Sequence, residues 1–354
     1  MVVAMSGGVD SSVTAVMLHR QGLDVVGVSM RLYAEPAAEG RTCCTPDDLY
    51  DARLVASSSG FPFYVANYQE QFRERVIDHF VNEYRRGRTP SPCVMCNDHL
   101  KFDILLQRMR ALGGSSLATG HYARIEERDG RHVLLRGADR TKDQSYFLFG
   151  LRRADLAVIR FPLGGLTKTE VRELGERLAV PTAEKPESQD ICFIGKGDYA
   201  DFVRQRLSAE DIRPGRIVRR STAEVLGTHE GIHAFTAGQR RGLGLSYPEP
   251  LYVHGVDAET GDVFVGTREE VSETRFGVER CNWLRWNEPP SSFECEVQVR
   301  YRQKPLRGVV HPRADGTQAS VELERGEPGI ARGQAAVFYD GDEVVGGGWI
   351  EDVG

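Results

Sequence analysis

Hydrophobic and polar positions in the N-terminal half of the chain follow a regular pattern, in which short apolar runs alternate with longer amphipathic segments. The apolar runs at residues 2–5 and 24–32 predict strands. Apolar side chains at helical spacing predict a helix over residues 11–21. Such alternation is typical of a parallel sheet covered by helices. We therefore predict an α/β domain with a Rossmann-like parallel sheet in this part of the chain.

Two predicted helices begin with a threonine that is followed three residues later by an acidic residue. In this pattern the threonine side chain caps a backbone N–H, and the acidic side chain accepts a hydrogen bond in return. Thr45 and Asp48 start one helix, which should end near Ser59, and Thr167 and Glu170 start another.

The cysteines Cys93 and Cys96 follow a segment that cannot continue a helix. A helix is predicted over 70–86, but the prolines in Thr89-Pro90-Ser91-Pro92 lack an N–H and restrict the residues before them. We therefore predict a stiff loop that carries Cys93 through Cys96 and enters a helix at Asp98.

Beyond about residue 210 the helical pattern ends, and short alternating segments separated by Gly, Pro and Asp predict strands. We expect a small central β-rich domain followed by a C-terminal β-barrel. The predicted domains are residues 1–208, 209–272 and 273–354.

The composition is that of an ordinary soluble protein with a modest negative charge. Of 354 residues, 40% are hydrophobic, and 45 basic against 51 acidic residues give a net charge of -6. Attraction of the whole protein to nucleic acid or to an anionic membrane is therefore excluded as a driving force. The sequence has no apolar run of 18 residues and no signal-like N-terminus, so we expect a cytoplasmic monomer without a membrane partner.

The seven cysteines are an odd number and do not resemble the disulfide framework of a small secreted domain. Five of them lie in the first 200 residues: Cys43, Cys44, Cys93, Cys96 and Cys192. The other two, Cys281 and Cys295, lie in strand-like sequence, and we interpret them as small buried hydrophobic side chains.

The most specific motif is Ser6-Gly7-Gly8-Val9-Asp10-Ser11-Ser12, directly between the first predicted strand and the first helix. Its glycines let the backbone approach an anion, the helix N-terminus supplies N–H donors, and the serines add hydroxyl donors. The motif therefore predicts a nucleotide phosphate site. It is not a Walker loop, because the chain has no G-x-x-x-x-G-K-[ST].

This loop resembles the pyrophosphatase loop of ATP-dependent adenylating enzymes, such as GMP synthetase, argininosuccinate synthase, lysidine synthetase and RNA thiolases, which cleave ATP to AMP and pyrophosphate. Within that superfamily the chain is similar to the tRNA-specific 2-thiouridylase family, bacterial enzymes that thiolate the wobble uridine. The matching segments occur in order at residues 87–102, 118–124, 142–148, 187–194, 238–244 and 299–302. The resemblance implies an ATP pyrophosphatase domain of the adenine nucleotide alpha-hydrolase type, followed by a central domain and a tRNA-contacting barrel.

Exchange of a uracil oxygen for sulfur needs an activated oxygen and a sulfur nucleophile. ATP supplies the first by adenylating the C2 oxygen, and a cysteine persulfide supplies the second. The resemblance implies that Cys192 carries the persulfide and that Cys96 resolves it into a disulfide. We expect Cys96, near the start of a helix, to be favoured as a thiolate by the helix dipole. The implied products are 2-thiouridine, AMP and pyrophosphate.

Other roles for the cysteines stay open. The spacing Cys93-x-x-Cys96-x-x-His99, together with the upstream Cys-Cys pair, also suits a zinc or iron–sulfur site. Many members of the family carry Asp where this chain has Cys93. Cys93 is therefore a second redox partner for Cys96, a ligand of an iron–sulfur cluster with Cys96 and Cys192, or a neutral substitution.

The resemblance also implies an ATP site with Mg²⁺. Its residues are Ala4, Met5, Ser6, Gly7, Gly8, Val9, Asp10, Ser11, Met30 and Gly120. Met30 and Gly120 lie at the ends of predicted strands, where parallel sheets bind ligands. Asp10 is predicted to hold Mg²⁺ beside the phosphates, since the loop offers this carboxylate no cationic partner.

A tRNA substrate requires a locally basic surface on this acidic chain. The stretches 212–220 and 297–313 are rich in arginine and contain no acidic residue. They are solvated faces instead if acids surround them in space. The resemblance implies tRNA contacts at Ser91, Pro92, Cys93, His121, Lys142, Asp143, Gln144, Arg300, Tyr301 and Gln334.

The expected partners are the tRNA anticodon stem-loop, whose wobble base must flip out to reach a buried site, and a persulfide donor such as a cysteine desulfurase or a sulfur-relay protein. Two other functions stay compatible with the sequence. One is an adenylating amidotransferase or ligase with the same loop, which would not need the cysteine pair. The other is an iron–sulfur or zinc RNA-binding protein with a vestigial nucleotide site.

Overall fold

The computed structural model describes residues 1–33, 45–186, 191–194 and 198–353. Cys43, Cys44 and residues 187–190 lie outside the described residues. The chain divides into two compact units. The first comprises Met1–Val76, Cys93–Lys196 and Asp342–Val344, and the second comprises Ile77–Pro92, Gly197–Gly341 and Val345–Gly354.

The helices and strands of the described residues follow the order that the sequence predicts. The helices are α1 (Val9–Arg20), α2 (Pro46–Ser59), α3 (Gln69–Phe72), α4 (Asp78–Arg85), α5 (Pro92–Cys96), α6 (Asp103–Ala111), α7 (Lys168–Arg177) and α8 (Tyr199–Arg204). Arg73–Ile77 and Asn97–Phe102 are π-helical, and Ser145–Leu148, Arg153–Ala157 and Ile232–Ala234 form 3₁₀ turns.

Strands β1 to β7 belong to the first unit: β1 (Val2–Ala4), β2 (Val26–Arg31), β3 (Phe63–Asn67), β4 (Leu117–Ala118), β5 (Ala123–Arg128), β6 (Arg131–Arg136) and β7 (Ile159–Arg160). Five of them form a parallel sheet in the order β3-β2-β1-β4-β7. The predicted Rossmann-like sheet is thus confirmed. Its order reverses at β1, and such a reversal is where open parallel sheets bind ligands.

Helices α1 and α7 pack against the central strand of this sheet. Val3 of β1, Val13 of α1 and Val171 of α7 are fully buried in one core cluster. Burial of side chains of this size contributes about 1.5 to 3 kcal/mol each. This packing fixes the N-terminus of α1, and hence the glycine-rich loop before it, relative to the sheet.

Both predicted helix caps are confirmed. Thr45 accepts from the Asp48 N–H and Thr167 from the Glu170 N–H, and each acidic side chain accepts from the backbone N–H of its threonine. Such caps contribute about 1 kcal/mol each.

The loop predicted for Cys93 through Cys96 is wrong. These residues lie in α5, whose first residue is Pro92. Proline is disfavoured inside a helix but favoured at its first position, where its missing N–H has no helical partner in any case. The helix therefore begins at the second proline of the segment instead of after it.

The remaining strands build two β modules: β8 (Gly215–Arg219), β9 (Val225–His229), β10 (Tyr252–Val256), β11 (Val263–Gly266), β12 (Ser272–Trp283), β13 (Phe293–Gln298), β14 (Leu306–Pro312), β15 (Gln318–Pro328), β16 (Ala335–Asp340) and β17 (Glu343–Val353). The first four form a small sheet in the order β10-β11-β8-β9, and β12-β15-β14-β13-β16-β17 form an antiparallel barrel closed by pairing of β12 with β17. The predicted central β-rich domain and C-terminal barrel are confirmed.

Cys281 and Cys295 pack against the barrel core, as predicted for small hydrophobic side chains. Burial raises the pKa of each thiol to about 12, so neither is a thiolate near neutral pH. Among the described residues, no helix has the length and apolar character needed to cross a membrane.

Candidate functional site

The glycine-rich loop joins β1 to α1 at the centre of the sheet. Gly7 has φ +76°, and a Cβ atom there would lie 2.0 Å from the Asp48 carbonyl oxygen. Only glycine fits this position. Gly8 is the N-cap of α1 and has no side chain to cap the first N–H groups, so these donors point toward a site suited to an anion.

The loop serines hold this shape. The Ser6 N–H donates to Ser11 Oγ at 3.1 Å, the two hydroxyl oxygens are 3.2 Å apart, and Ser11 Oγ lies 3.2 Å from the Gly8 carbonyl oxygen, to which it donates. The hydroxyls therefore order the loop before any ligand arrives.

Asp10 has a cationic partner. The predicted Mg²⁺ site assumed that this carboxylate has none, and that assumption is wrong. Lys168 Nζ lies 2.7 and 2.9 Å from the two carboxylate oxygens of Asp10, and the Tyr122 hydroxyl donates to Oδ1 at 2.8 Å. The sequence did not indicate this pairing, because Lys168 lies 158 residues away. The carboxylate ties the first turn of α1 to α7 and to the segment after β4.

Lys185 is a residue of the loop site that the sequence analysis missed. Its ammonium donates to the Gly7 carbonyl oxygen at 3.1 Å, to Asp48 Oδ1 at 2.7 Å and to the Asp51 carboxylate. Burial opposes the charge, but the hydrogen bonds to both carboxylates outweigh it and raise the pKa of Lys185. A cation thus compensates two carboxylates beside a loop suited to an anion.

The structure brings Gly120 against the same loop. A Cβ atom on Gly120 would lie 2.8 Å from the Asp10 carbonyl carbon and 2.8 Å from the Ser11 backbone nitrogen, so this backbone approach requires glycine. Met30 is buried near the end of β2, the strand beside β1. Of the predicted nucleotide residues, Gly120 therefore follows β4 and Met30 lies near the end of β2, the two strands that flank β1.

Cys96 is buried and is the last residue of α5, whereas Cys93 is exposed in the first turn. The helix dipole acts mainly within the first turn. Cys96 is the fifth residue of the helical stretch that begins at Pro92, just beyond that turn, so its favoured thiolate stays a prediction. A π-helical segment, Asn97–Phe102, follows at once, a feature that often occurs at functional sites.

The segments that carry Cys96 and Cys192 pack on the same helical stretch. The buried Phe193 meets Phe72 edge to face with ring centroids 5.8 Å apart, and Arg75 Nη1 donates to the His99 carbonyl oxygen at 2.9 Å. Phe72 and Arg75 are one helical turn apart. Phe72 is buried and Arg75 is exposed, and this helical stretch contacts both cysteine-bearing segments.

The proposed cluster ligand set of Cys93, Cys96 and Cys192 is not assembled in this structure. Among the residues that the structure describes, no group of three or more His, Cys, Asp or Glu side chains is placed to hold a metal ion. Cys43 and Cys44, the other suggested ligands, lie outside the described ranges.

Asp98 lies in the π-helical segment two residues after Cys96. A Cβ atom on Gly150 would lie 1.9 Å from Asp98 Oδ2, so the carboxyl group is packed directly on that glycine. Oδ1 is buried and has no hydrogen-bond partner among the described residues. Burial, with a smaller contribution from Asp103, raises the pKa of Asp98 to about 8.

We expect Asp98 to make the stability of the protein fall with rising pH. The pKa of Asp98 is about 4 in the unfolded state. Between about pH 4 and pH 8 the folded state therefore binds one proton more than the unfolded state. The stability that this proton contributes is lost as the pH rises through the folded-state pKa. The melting temperature should therefore fall between pH 6 and pH 9 more steeply for the wild type than for Asp98→Asn. Parallel curves for the two proteins would contradict the assignment.

Three predicted tRNA-contacting residues of the first unit have internal partners. The Asp143 carboxylate accepts from the backbone N–H groups of Gly137 and Ser145 and from the Arg136 guanidinium. Gln144 Oε1 accepts from the Tyr122 N–H at 2.9 Å. Burial, and to a lesser extent Lys101, lowers the pKa of His121 to about 3, so its imidazole is neutral at pH 7.

One predicted tRNA residue of the second unit, Gln334, contacts the proline segment, in which Ser91 and Pro92 are buried. Gln334 Nε2 donates to the Thr89 and Pro90 carbonyl oxygens at 3.2 and 2.8 Å, just before Ser91 and Pro92. Gln334 therefore orders the segment that leads into α5.

Arg300, on the adjoining barrel loop, is half-exposed and donates to Glu327 at 2.7 Å. Its neighbour Tyr301 packs beneath Arg302, whose guanidinium carbon lies 5.4 Å from the ring centroid. Arg302 is exposed, so this part of the stretch 297–313 presents positive charge to solvent.

The second basic stretch, 212–220, is a solvated face with acids nearby. Arg216 pairs with Asp262 at 2.6 Å, Arg219 with Glu270 at 3.0 Å, and Arg220 with Glu273 at 2.6 Å. Three of its four arginines are thus compensated by carboxylates about 45 to 55 residues along the chain, and the fourth, Arg213, donates to the Glu210 carbonyl oxygen. These pairs favour the interpretation as a solvated face.

Comparison with known proteins identifies the family. A profile described as the tRNA methyl transferase HUP domain matches residues 1–196, which is more than half of the chain. The tRNA methyl transferase PRC-barrel domain matches residues 200–267, and the aminomethyltransferase beta-barrel domain matches residues 273–350.

Curated relatives span nearly the whole chain. The tRNA-specific 2-thiouridylase MnmA of Geobacter metallireducens is 50% identical over 99% of this chain and 96% of its own length. Proteins of the same name from Geotalea uraniireducens and Acidobacterium capsulatum are 47% and 46% identical, over 99% and 98% of this chain and 94% and 98% of their own lengths. This chain belongs to the tRNA-specific 2-thiouridylase family.

Membership of the 2-thiouridylase family confirms the resemblance inferred from the glycine-rich loop and the other motifs. The roles of individual residues, and the domain limits at 208 and 272, stay predictions. Within this family, the chain carries the exposed Cys93 and the buried Cys96 in the five-residue helix α5.

Proposed function

We propose that this protein is an ATP-dependent enzyme that replaces the C2 oxygen of the wobble uridine of tRNA by sulfur. The observation that carries the proposal is the arrangement of the first unit, where a loop built for phosphate and two cysteine-bearing segments on one helix belong to the same compact body. The full-length similarity to proteins named tRNA-specific 2-thiouridylase supports it.

ATP fits the loop on chemical grounds. The α1 N-terminus and the backbone at Gly7 and Gly8 offer N–H donors to phosphate, and Lys185 and Lys168 balance the carboxylates nearest to them. The proposed first step is attack of the uridine C2 oxygen on the α-phosphorus of ATP. Pyrophosphate leaves, and the oxygen that must be lost becomes part of an AMP leaving group.

The cysteines carry out the proposed second step. The terminal sulfur of a Cys192 persulfide attacks C2, and AMP departs with the former uridine oxygen. Cys192 Sγ is now joined to the uridine through the new sulfur. The Cys96 thiolate attacks Cys192 Sγ and breaks this S–S bond, so that 2-thiouridine and a Cys96–Cys192 disulfide are formed. The transferred sulfur is reduced by two electrons and the two thiols are oxidised, so a dithiol reductant must reopen the disulfide.

We propose that this cycle runs without an iron–sulfur cluster, because the two cysteines alone balance its electrons. Its other partners are the anticodon stem-loop of tRNA and a persulfide donor of the cysteine desulfurase or sulfur-relay class. The proline segment ordered by Gln334 is the proposed contact for the flipped base.

Mass analysis of tRNA nucleosides tests the function. Unmodified tRNA is incubated with the enzyme, ATP, a persulfide donor and a dithiol reductant, under air and under anaerobic conditions. We expect 2-thiouridine in both, and none without ATP. Formation only with anaerobically reconstituted enzyme that retains iron would support the cluster, and no 2-thiouridine under any condition would contradict the proposal.

Lys185 provides a separate test of the ATP site. In Lys185→Met, the Asp48 and Asp51 carboxylates next to the loop lose their cation and repel the phosphates, so we expect ATP to bind about tenfold more weakly. Lys185→Arg, which keeps the charge, should recover most of the affinity. Calorimetric titration with ATP measures both, and equal affinity of Lys185→Met and wild type would contradict this role.

A further inference from the structure

The glycine-rich segment 238–244, Gly-Gln-Arg-Arg-Gly-Leu-Gly, has no role in the chemistry described above. Gly238, Gly242 and Gly244 have φ of +83°, +77° and +66°, a backbone region that favours glycine. Arg240 and Arg241 lie between the first two of these glycines, and both are exposed. The segment is thus a tight turn that presents two adjacent arginines to solvent.

Hydrogen bonds give this turn a fixed shape. Gln239 Oε1 accepts from the Thr236 N–H at 3.0 Å, and Gln239 Nε2 donates to the Arg241 carbonyl oxygen at 2.9 Å. The Gly238 N–H donates to the Val253 carbonyl oxygen at 2.8 Å, and the Val253 N–H donates to the Gln239 carbonyl oxygen at 2.9 Å. The backbone that carries the two arginines is therefore anchored to β10.

The turn adjoins the predicted tRNA-contacting residues of the second unit. The Thr236 hydroxyl is hydrogen-bonded to the Thr89 hydroxyl, in the proline segment that Gln334 also holds. A Cβ atom on Gly238 would lie 3.2 Å from Arg300 Nη1. The arginine turn therefore adjoins both Thr89, where the buried residues Pro90, Ser91 and Pro92 begin, and the Arg300 loop.

Arg240 and Arg241 differ from the arginines of stretch 212–220 in their charge environment. Arg216, Arg219 and Arg220 each pair with a carboxylate. Neither Arg240 nor Arg241 forms an ion pair with any described residue. Their charges are thus available to an external anion.

We propose that Arg240 and Arg241 form an RNA phosphate-binding element, which grips the tRNA backbone next to the nucleotide that enters the site. This inference rests on the proposed function. Guanidinium groups bind phosphate in a bidentate manner, and phosphate contacts set the position of the nucleic acid without reading its sequence. An RNA backbone is favoured over an acidic protein, because the turn adjoins the segment proposed to meet the flipped base.

The double variant Arg240→Ala/Arg241→Ala tests this element. We expect tRNA to bind about tenfold more weakly near 0.1 M salt, with the slope of log K against log salt reduced by about 1 to 2. ATP affinity and the melting temperature should not change, since both side chains are exposed. Arg240→Lys/Arg241→Lys keeps the charge and should keep most of the salt slope.

The matched control is Arg204→Ala/Arg275→Ala, which removes the same charge from exposed arginines of the second unit that pair with Glu230 and Glu322. We expect it to bind tRNA like the wild type. If both double variants lose affinity equally, overall charge explains the loss and the element is refuted. If tRNA binding is unchanged, and thiolation is lost with a protein persulfide donor but kept with a small-molecule persulfide, the turn would be assigned to the donor protein instead.

The two proposals can fail separately. If the wild type binds tRNA and forms 2-thiouridine but the Arg240→Ala/Arg241→Ala variant binds equally well, only the phosphate-binding element fails. If the wild type forms no 2-thiouridine, the proposed function fails. A loss of tRNA affinity in the variant would then still show that this turn is an RNA contact.

Discussion

Replacing Cys192 by alanine is expected to lower 2-thiouridine formation by about 10³-fold or more, because the residue that carries the transferred sulfur is lost. ATP affinity should stay unchanged, since the loop residues that would hold the phosphates have their own anchors at Lys168 and Lys185. Nucleoside mass analysis and calorimetric titration with ATP measure the two quantities on the same preparation.

In a single turnover without a dithiol reductant, Cys96→Ala should form as little free 2-thiouridine as Cys192→Ala, but its reaction should stop at a later stage. The sulfur bridge between Cys192 and the uridine can then form without being resolved, so a tRNA adduct that dithiothreitol releases should accumulate. Cys281→Ala and Cys295→Ala serve as controls, because these partly buried thiols of the barrel have a raised pKa, and both variants should keep full activity. Full activity of Cys192→Ser would contradict sulfur transfer through this residue and favour an adenylating ligase.

Gly7→Ala is expected to lower ATP affinity by about 100-fold. The new methyl group would lie 2.0 Å from the Asp48 carbonyl oxygen in a left-handed backbone conformation, so the loop must move away from α2. That movement also separates the Gly7 carbonyl from Lys185.

Gly22→Ala is the matched control for this substitution. Gly22 has a similar φ of +84°, but a Cβ atom there would meet nothing within 4 Å. Gly22→Ala should therefore lower the free energy of unfolding by only about 1 kcal/mol, through backbone strain, and leave ATP affinity unchanged. ATP binding by Gly7→Ala at wild-type affinity would contradict the placement of phosphate at this loop.

Features that depend on a few neighbouring residues were predictable from the sequence. The caps at Thr45 and Thr167 each need one residue pair three positions apart, and the glycine-rich loop is recognisable because it lies between an apolar run and an amphipathic one. Parallel-sheet architecture followed from the alternation itself.

Features that depend on contacts between distant segments were not predictable. Lys185 pairs with Asp48 over 137 residues, and Lys168 pairs with Asp10 over 158. No periodicity in the sequence encodes such pairs. The same reason explains why the 212–220 stretch looked cationic, since its compensating carboxylates, Asp262, Glu270 and Glu273, lie about 45 to 55 residues along the chain.

The start of α5 was missed for a different reason. Proline restricts the residue before it but fits the first position of a helix. The two prolines of Thr89-Pro90-Ser91-Pro92 therefore mark a helix boundary, but they do not show which proline begins the next helix. The π-helical segments Arg73–Ile77 and Asn97–Phe102 have no sequence pattern that distinguishes them from α-helix.

The ratio of AMP to 2-thiouridine tests the central claim most directly. With tRNA in excess, a dithiol reductant and a persulfide donor, both products are quantified by mass in the same reaction as it proceeds. Adenylation of the uridine oxygen predicts one AMP and one pyrophosphate for each 2-thiouridine, with ¹⁸O placed at uridine C2 recovered in the AMP phosphate. Thiolation without ATP, formation of ADP in place of AMP, or AMP that contains none of the label would contradict it.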